Sequence, residues 1–85
     1  MSDFSHVSDE GVRKFLESEE PLNDCNIVAS QLNYAMHCLD HDAQDERVPL
    51  EVLELREGYY DEACEYFGWR RLDEARECLR RFWRV

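Results

Sequence analysis

Residues 69–83 of this chain, WRRLDEARECLRRFW, decide the fold. Apolar side chains recur in this stretch every three or four residues, so a helix collects them on one face. The face consists of Leu72, Ala75, Cys78, Leu79 and Phe82, with Trp83 at its margin. The pattern predicts a helix from about Trp69 to Trp83 that closes an apolar core.

A second helix is predicted directly before this one. It begins near Pro49, whose fixed φ suits a first helical turn, and ends at Gly68, a residue typical of helix C-caps. Gly58 could bend or break it, because glycine lowers helix stability by roughly 1 kcal/mol relative to alanine. Its expected core face is Val52, Leu55, Tyr59, Ala63 and Tyr66.

A further long helix is predicted near the middle of the chain. Asn23 or Asp24 can act as its N-cap, and it should run to about Asp40. Its apolar stripe has helical spacing and consists of Val28, Leu32, Ala35 and Leu39.

A shorter helix is predicted at the N-terminal end, with Ser8 as N-cap, a hydrophobic staple of Val7 and Val12, and an end before Pro21. Strands have little support, because apolar positions do not alternate and β-branched residues are few. Short connections between helices favour antiparallel packing. We therefore expect one acidic domain, residues 1–85, with an all-α fold: a small four-helix bundle or a pair of helical hairpins.

The charge is strongly acidic and unevenly distributed. The formal net charge is −10; residues 1–68 hold seventeen acids and four bases, whereas residues 69–85 hold three acids and six bases. In the last helix, the pairs Arg70–Glu74 and Glu77–Arg81 are expected to neutralise part of the positive charge. Such an acidic surface repels nucleic acid and anionic membranes, and it attracts a protein with a basic surface.

The cysteine spacing and the lengths of the apolar runs indicate where in the cell the protein is expected. No CxxC pair suggests a zinc ribbon or a thioredoxin-like motif. No run approaches the roughly 20 apolar residues of a membrane span, and no apolar signal segment opens the chain. We expect a cytoplasmic protein with four free thiols, Cys25, Cys38, Cys64 and Cys78.

Five carboxylates follow the side of the Pro49 helix opposite Val52 and Tyr59. We call them the acidic ridge: Glu51, Glu54, Glu57, Asp61 and Glu65. They repeat every roughly 4.5 to 6 Å along the axis, the same order as the roughly 3.4 Å phosphate repeat of one DNA strand. The ridge is thus either a partner-binding surface that imitates a nucleic-acid backbone or a solvated polar face. Tyr59, Tyr60 or Trp69 would supply an apolar anchor for a partner.

No pattern in the sequence predicts catalysis. A glycine-rich phosphate loop is missing, and no serine, histidine and acid cluster is evident. His37 and His41 are four residues apart and could share a metal ion with Cys38, Asp40 or Asp42. Both histidines, however, fall on the polar side of their helix. We expect a non-enzymatic protein without a cofactor.

The sequence therefore predicts a protein-binding inhibitor that occupies a basic nucleic-acid-binding surface of its target by charge mimicry. In size and charge it is similar to phage-encoded anti-defence proteins of the anti-CRISPR kind and to host-takeover proteins. Two alternatives stay open. The chain could be an immunity protein or antitoxin that neutralises a basic nuclease or toxin, or a structural adaptor that forms a homodimer through its C-terminal helix.

Overall fold

Four helices make up most of the structure, which is a computed structural model that describes residues 3–85. Helix α1 spans Glu10–Glu17, α2 Cys25–Ala43, α3 Leu50–Gly68 and α4 Leu72–Arg84. Residues 3–85 contain no β-strand, and their Cα radius of gyration is 12.4 Å. The all-α prediction of a small four-helix bundle is confirmed.

Helix α4 is the central element, because it packs against each of the other three helices and most extensively against α3. Its predicted apolar face is buried in full: Leu72, Ala75, Cys78, Leu79 and Phe82. Val28 and Ala35 of α2 and Ala63 of α3 are fully buried in the same core. The C-terminal stretch thus closes the core, as its sequence predicts.

The segment before α1 joins this core, which its short and mostly polar sequence does not reveal. Phe4 and Val7 are each 4% exposed. The ring of Phe4 lies beneath the Arg84 guanidinium, 5.3 Å from its carbon. His6 Nε2 and the Trp83 carbonyl oxygen are 2.6 Å apart. These contacts hold the N-terminal segment against the end of α4.

Two arginines of α4 hold the connection between α1 and α2. Arg80 donates from Nε to the Leu16 carbonyl and from Nη2 to the Ser18 carbonyl, both at 2.7 Å. Arg76, which is 5% exposed, donates to the Glu20 carbonyl at 2.9 Å. The last carbonyls of a helix lack partners within the helix, and Arg80 supplies a donor to one of them, that of Leu16. Arg76 binds the connection beyond the end of α1.

The helix N-termini follow ordinary capping chemistry, with one correction. The N-cap of α1 is Asp9, whose side chain accepts a hydrogen bond from the Val12 backbone N–H at 3.1 Å; the prediction of Ser8 was wrong by one residue. Asp24 caps α2 by accepting from the Asn26 N–H at 2.9 Å. A carboxylate is favoured at both places because the helix dipole is positive there.

Helix α3 is continuous through Gly58, a position that faces open space. The turn after α3 differs from the prediction. Gly68 is the last helical residue, and the left-handed residue is Arg70, with φ 63°. The Arg71 N–H donates to the Tyr66 carbonyl at 2.8 Å, which closes the helix end. Helix α4 therefore begins at Leu72, three residues after the predicted start at Trp69.

Candidate partner-binding surface

The acidic ridge forms the outer side of α3. All five ridge residues are exposed, whereas Ala63 on the opposite side of the helix is completely buried. Two residues of the expected core face lie outside the core cluster: Val52 is half-buried, and Leu55 is 54% exposed at about 80° around the helix from Ala63. The sequence therefore places the ridge correctly and draws the core face of α3 too wide.

The carboxylates of the ridge are unpaired. Among the described residues, no basic side chain forms an ion pair with any of the five. Like charges three or four residues apart repel each other along a helix and lower its stability. The negative field of the ridge is thus directed at solvent without a paired counter-charge from residues 3–85.

The basic residues of the chain are largely engaged elsewhere. Seven of the ten pair with acids outside the ridge: Lys14, Arg47, Arg56, Arg71, Arg76, Arg80 and Arg84. Arg56 is the basic residue of α3, and it binds Asp42 at the end of α2 and the Val85 backbone oxygen. Its charge is directed inward, away from the ridge.

The pairing within the last helix differs from the prediction. Glu74 is paired with Arg71 at 3.2 Å and Glu77 with Arg80 at 3.1 Å, instead of with Arg70 and Arg81. Because α4 begins at Leu72, Arg70 lies in the turn, where it donates to the Cys25 sulfur at 3.0 Å. The charges of α4 are neutralised locally, as expected, but through i,i+3 contacts.

The three predicted aromatic anchors occupy different places. Tyr59 is half-buried and packs against the core. Trp69 is 64% exposed one turn beyond Glu65, and its ring meets Tyr66 edge to face with centroids 6.1 Å apart. Tyr60 is half-buried on the other flank of the ridge. Trp69 and Tyr60 thus border the ridge, whereas Tyr59 does not.

A groove of about 540 Å³ runs beside the ridge, between the second half of α2 and the first half of α3. Its apolar lining is formed by Met36, Leu39, Ala43, Leu50, Leu53 and Tyr60. Its remaining lining residues are all acidic: Asp40 from α2, and Glu54, Glu57 and Asp61 from the ridge. We call this feature the α2–α3 groove.

The pKa of Tyr60 reflects the environment of this groove. Partial burial, the neighbouring Cys64 and the nearby carboxylates of Asp61 and Asp40 raise the pKa of Tyr60 to about 12. Each of these surroundings disfavours the phenolate, because a charge is poorly solvated there and lies close to other negative charges. An anion is therefore disfavoured beside Tyr60, while the four acidic lining residues attract positive charge to the border of the groove.

Histidines and cysteines do not form a site in the described part of the chain. Across residues 3–85, no three side chains of His, Cys, Asp or Glu converge on a common metal position. His37 and His41 are exposed on α2, while Cys38 is turned inward and burial raises its pKa. All four cysteines are free thiols, and burial together with Glu62 raises the pKa of Cys78 to about 11.

No family model matches the chain, and no curated protein or solved structure matches it at a significant level. Within residues 3–85, no helix has both the length and the hydrophobicity to cross a bilayer. The site must therefore be interpreted from its own side chains.

The α2–α3 groove is the part of the site that the sequence did not predict. Its signal was the apolar pair Leu53 and Tyr60 between the core face and the ridge, with Leu50 on the ridge side at the start of α3.

Proposed function

We propose that this chain binds a protein with a basic surface and that the acidic ridge occupies the place of nucleic-acid phosphates on that surface. The observation that carries the proposal is the row of five exposed carboxylates that have no ion-pair partner among residues 3–85. From Glu51 to Glu65 the row is about 21 Å long, at a rise of about 1.5 Å per residue. That length matches about six phosphates of one DNA strand.

Charge mimicry explains why such a row would be kept. Like charges along α3 reduce the stability of the helix, and pairing with arginine or lysine on a partner would reverse that cost. Opposite charges across an interface also accelerate association and fix orientation, with a strong dependence on salt. The expected activity is therefore competitive: the chain excludes nucleic acid from its partner without catalysing a reaction.

Inhibitor and immunity protein are two forms of this proposal, and they differ only in the partner. A partner that binds nucleic acid in host defence or transcription would make the chain an inhibitor of the phage-encoded kind. A partner that cleaves nucleic acid or acts as a toxin would make it an immunity protein or antitoxin. The adaptor alternative is less favoured, because the apolar face of α4 is buried within the chain and is not available to a second copy.

The test begins with affinity capture by the tagged protein from nuclease-treated lysate of the encoding organism or its host. The captured protein is then purified, and displacement of labelled DNA or RNA from it is measured. Glu57→Lys/Asp61→Lys should lose capture and displacement. Glu20→Lys/Glu46→Lys, the same charge change at exposed positions away from the ridge, should retain both. Equal losses in the two variants, or binding that does not compete with nucleic acid, would contradict the proposal.

A further inference from the structure

The α2–α3 groove combines an apolar floor with an acidic border. Two of its apolar side chains are unusually accessible, Leu50 at 69% and Met36 at 39% exposure. Its volume of about 540 Å³ is in the range of sites that accept side chains or ligands, roughly 300 to 1,000 Å³. Exposed apolar surface bordered by polar residues is typical of interaction sites.

The lining defines the chemistry of the occupant. Every charged residue of the groove is an acid, and none is a lysine or an arginine. An uncharged apolar occupant would desolvate Asp40 and Asp61 without compensation, which is unfavourable for ionised carboxylates. An anionic occupant would be repelled. The occupant that fits must therefore bring apolar side chains for the floor and cationic side chains for the border.

The walls define the shape of the occupant. Both walls are helices, whose backbone groups are hydrogen-bonded internally, and residues 3–85 offer no strand edge to an extended peptide. Tyr60 is the single aromatic residue of the lining, whereas polyproline segments need aromatic-lined grooves. An amphipathic helix places its apolar face into a groove of this kind. From Leu50 to Asp61 the groove is about 16 Å long, the length of about three helical turns.

We propose that the α2–α3 groove binds an amphipathic basic helix of the partner protein, with apolar side chains on Met36 and Leu50 and lysine or arginine side chains on Asp40, Glu54, Glu57 and Asp61. The inference rests on the proposed function, because it takes the partner to be a basic protein, and it deepens that function by naming the element bound. A second copy of this chain is a poorer occupant, since each copy has a net charge of −10.

The probe is a fluorescently labelled helical peptide of about three turns with leucines at i, i+3 and i+7 and lysines beside them. A second peptide has the same composition with its leucines spread around the helix, and a third has glutamine in place of lysine. Fluorescence anisotropy at low salt gives the affinity of each. We expect the first peptide to bind roughly tenfold or more tightly than the second.

Matched variants locate the binding. Met36→Gln/Leu50→Gln should lower the affinity for the first peptide by about tenfold. The control is Ile27→Gln/Leu55→Gln, whose residues are similarly exposed but lie outside the groove. It should change the affinity by less than about twofold. Asp40→Asn should weaken it more than Glu65→Gln, because Asp40 lines the groove and Glu65 does not. Circular dichroism and thermal unfolding verify that each variant is folded.

The failures of the two proposals are distinguishable. The groove proposal would be wrong if the first two peptides bound equally and if Glu65→Gln lowered the affinity as much as Asp40→Asn. The proposal that the ridge mimics phosphates would then still stand. Equal binding of the glutamine peptide would overturn the basic-partner requirement. If none of the three peptides bound, the groove proposal would be wrong. Self-association that Met36→Gln/Leu50→Gln abolishes would also overturn it, since a second copy would then cover this face.

Discussion

Helices α3 and α4 are both rich in charged residues, but they use them in opposite ways. Two arginines of α4 are turned inward: Arg76 is 5% exposed and Arg80 binds two backbone carbonyls. The carboxylates of the α3 ridge are all exposed and form no ion pair within the described part of the chain. Charge in α4 thus stabilises the fold, whereas charge in α3 remains available to a partner. This contrast separates the residues that hold the bundle from those we propose to bind.

The largest difference between the two helices should be found in their leucines. Leu79 of α4 is completely buried, so Leu79→Ala is expected to lower the free energy of unfolding by about 3 to 4 kcal/mol through lost burial and a cavity. Leu55→Ala on the exposed side of α3 should lower it by less than about 1 kcal/mol. Urea unfolding of both variants measures this. Equal losses would mean that Leu55 belongs to the core.

The next effect concerns the inward arginines. Arg80→Met keeps much of the apolar stem but leaves the Leu16 and Ser18 carbonyls without their donors, and it should cost about 2 kcal/mol. Arg81→Met, an exposed neighbour, should change the free energy of unfolding by no more than about 0.5 kcal/mol. The same unfolding assay compares them. A loss at Arg81 as large as that at Arg80 would show that the two arginines have similar roles.

The ridge should respond with the opposite sign. In Glu54→Gln/Glu57→Gln/Asp61→Asn, repulsion between neighbouring carboxylates is removed, so the free energy of unfolding should rise by about 0.5 kcal/mol. The gain should shrink as salt increases, because salt already screens exposed charges. Thermal unfolding at low and high salt measures both effects. A destabilised variant would indicate that the ridge has stabilising contacts within the chain.

The last effect is expected at Tyr60 in the groove and is confined to alkaline pH. Its pKa is raised from 10.0 to about 12 in the folded protein, so the folded state keeps a proton that the unfolded chain loses above about pH 10. The corresponding contribution to stability is full below about pH 10 and is lost as pH rises through about 12. In Tyr60→Phe, the free energy of unfolding should decrease less between about pH 10 and pH 12. The ultraviolet titration of the tyrosines should also lose the transition that occurs at the highest pH. An unchanged titration would place Tyr60 in water.

The two helices also differ in how far the sequence predicts them. The buried face of α4 was predicted residue by residue, because its apolar residues all fall on one side of the helix and only that side can face a small core. On α3 the ridge was evident from spacing alone, but Leu50 and Leu53 were not assigned to a surface. Their role depends on how α2 packs beside α3, which is a property of the tertiary structure. The inward direction of Arg76 and Arg80 was likewise beyond the sequence, because their acceptors are carbonyls about 56 to 64 residues away.

The central claim is that the unpaired carboxylates of α3 bind a basic protein. It is tested most directly by the affinity of the captured partner for the wild type and for Glu54→Gln/Glu57→Gln/Asp61→Asn over a range of salt concentrations. We predict that the wild-type affinity falls steeply with salt, and that the neutral variant binds weakly with little salt dependence while it remains at least as stable. Equal affinity and equal salt dependence of the two proteins would contradict the account.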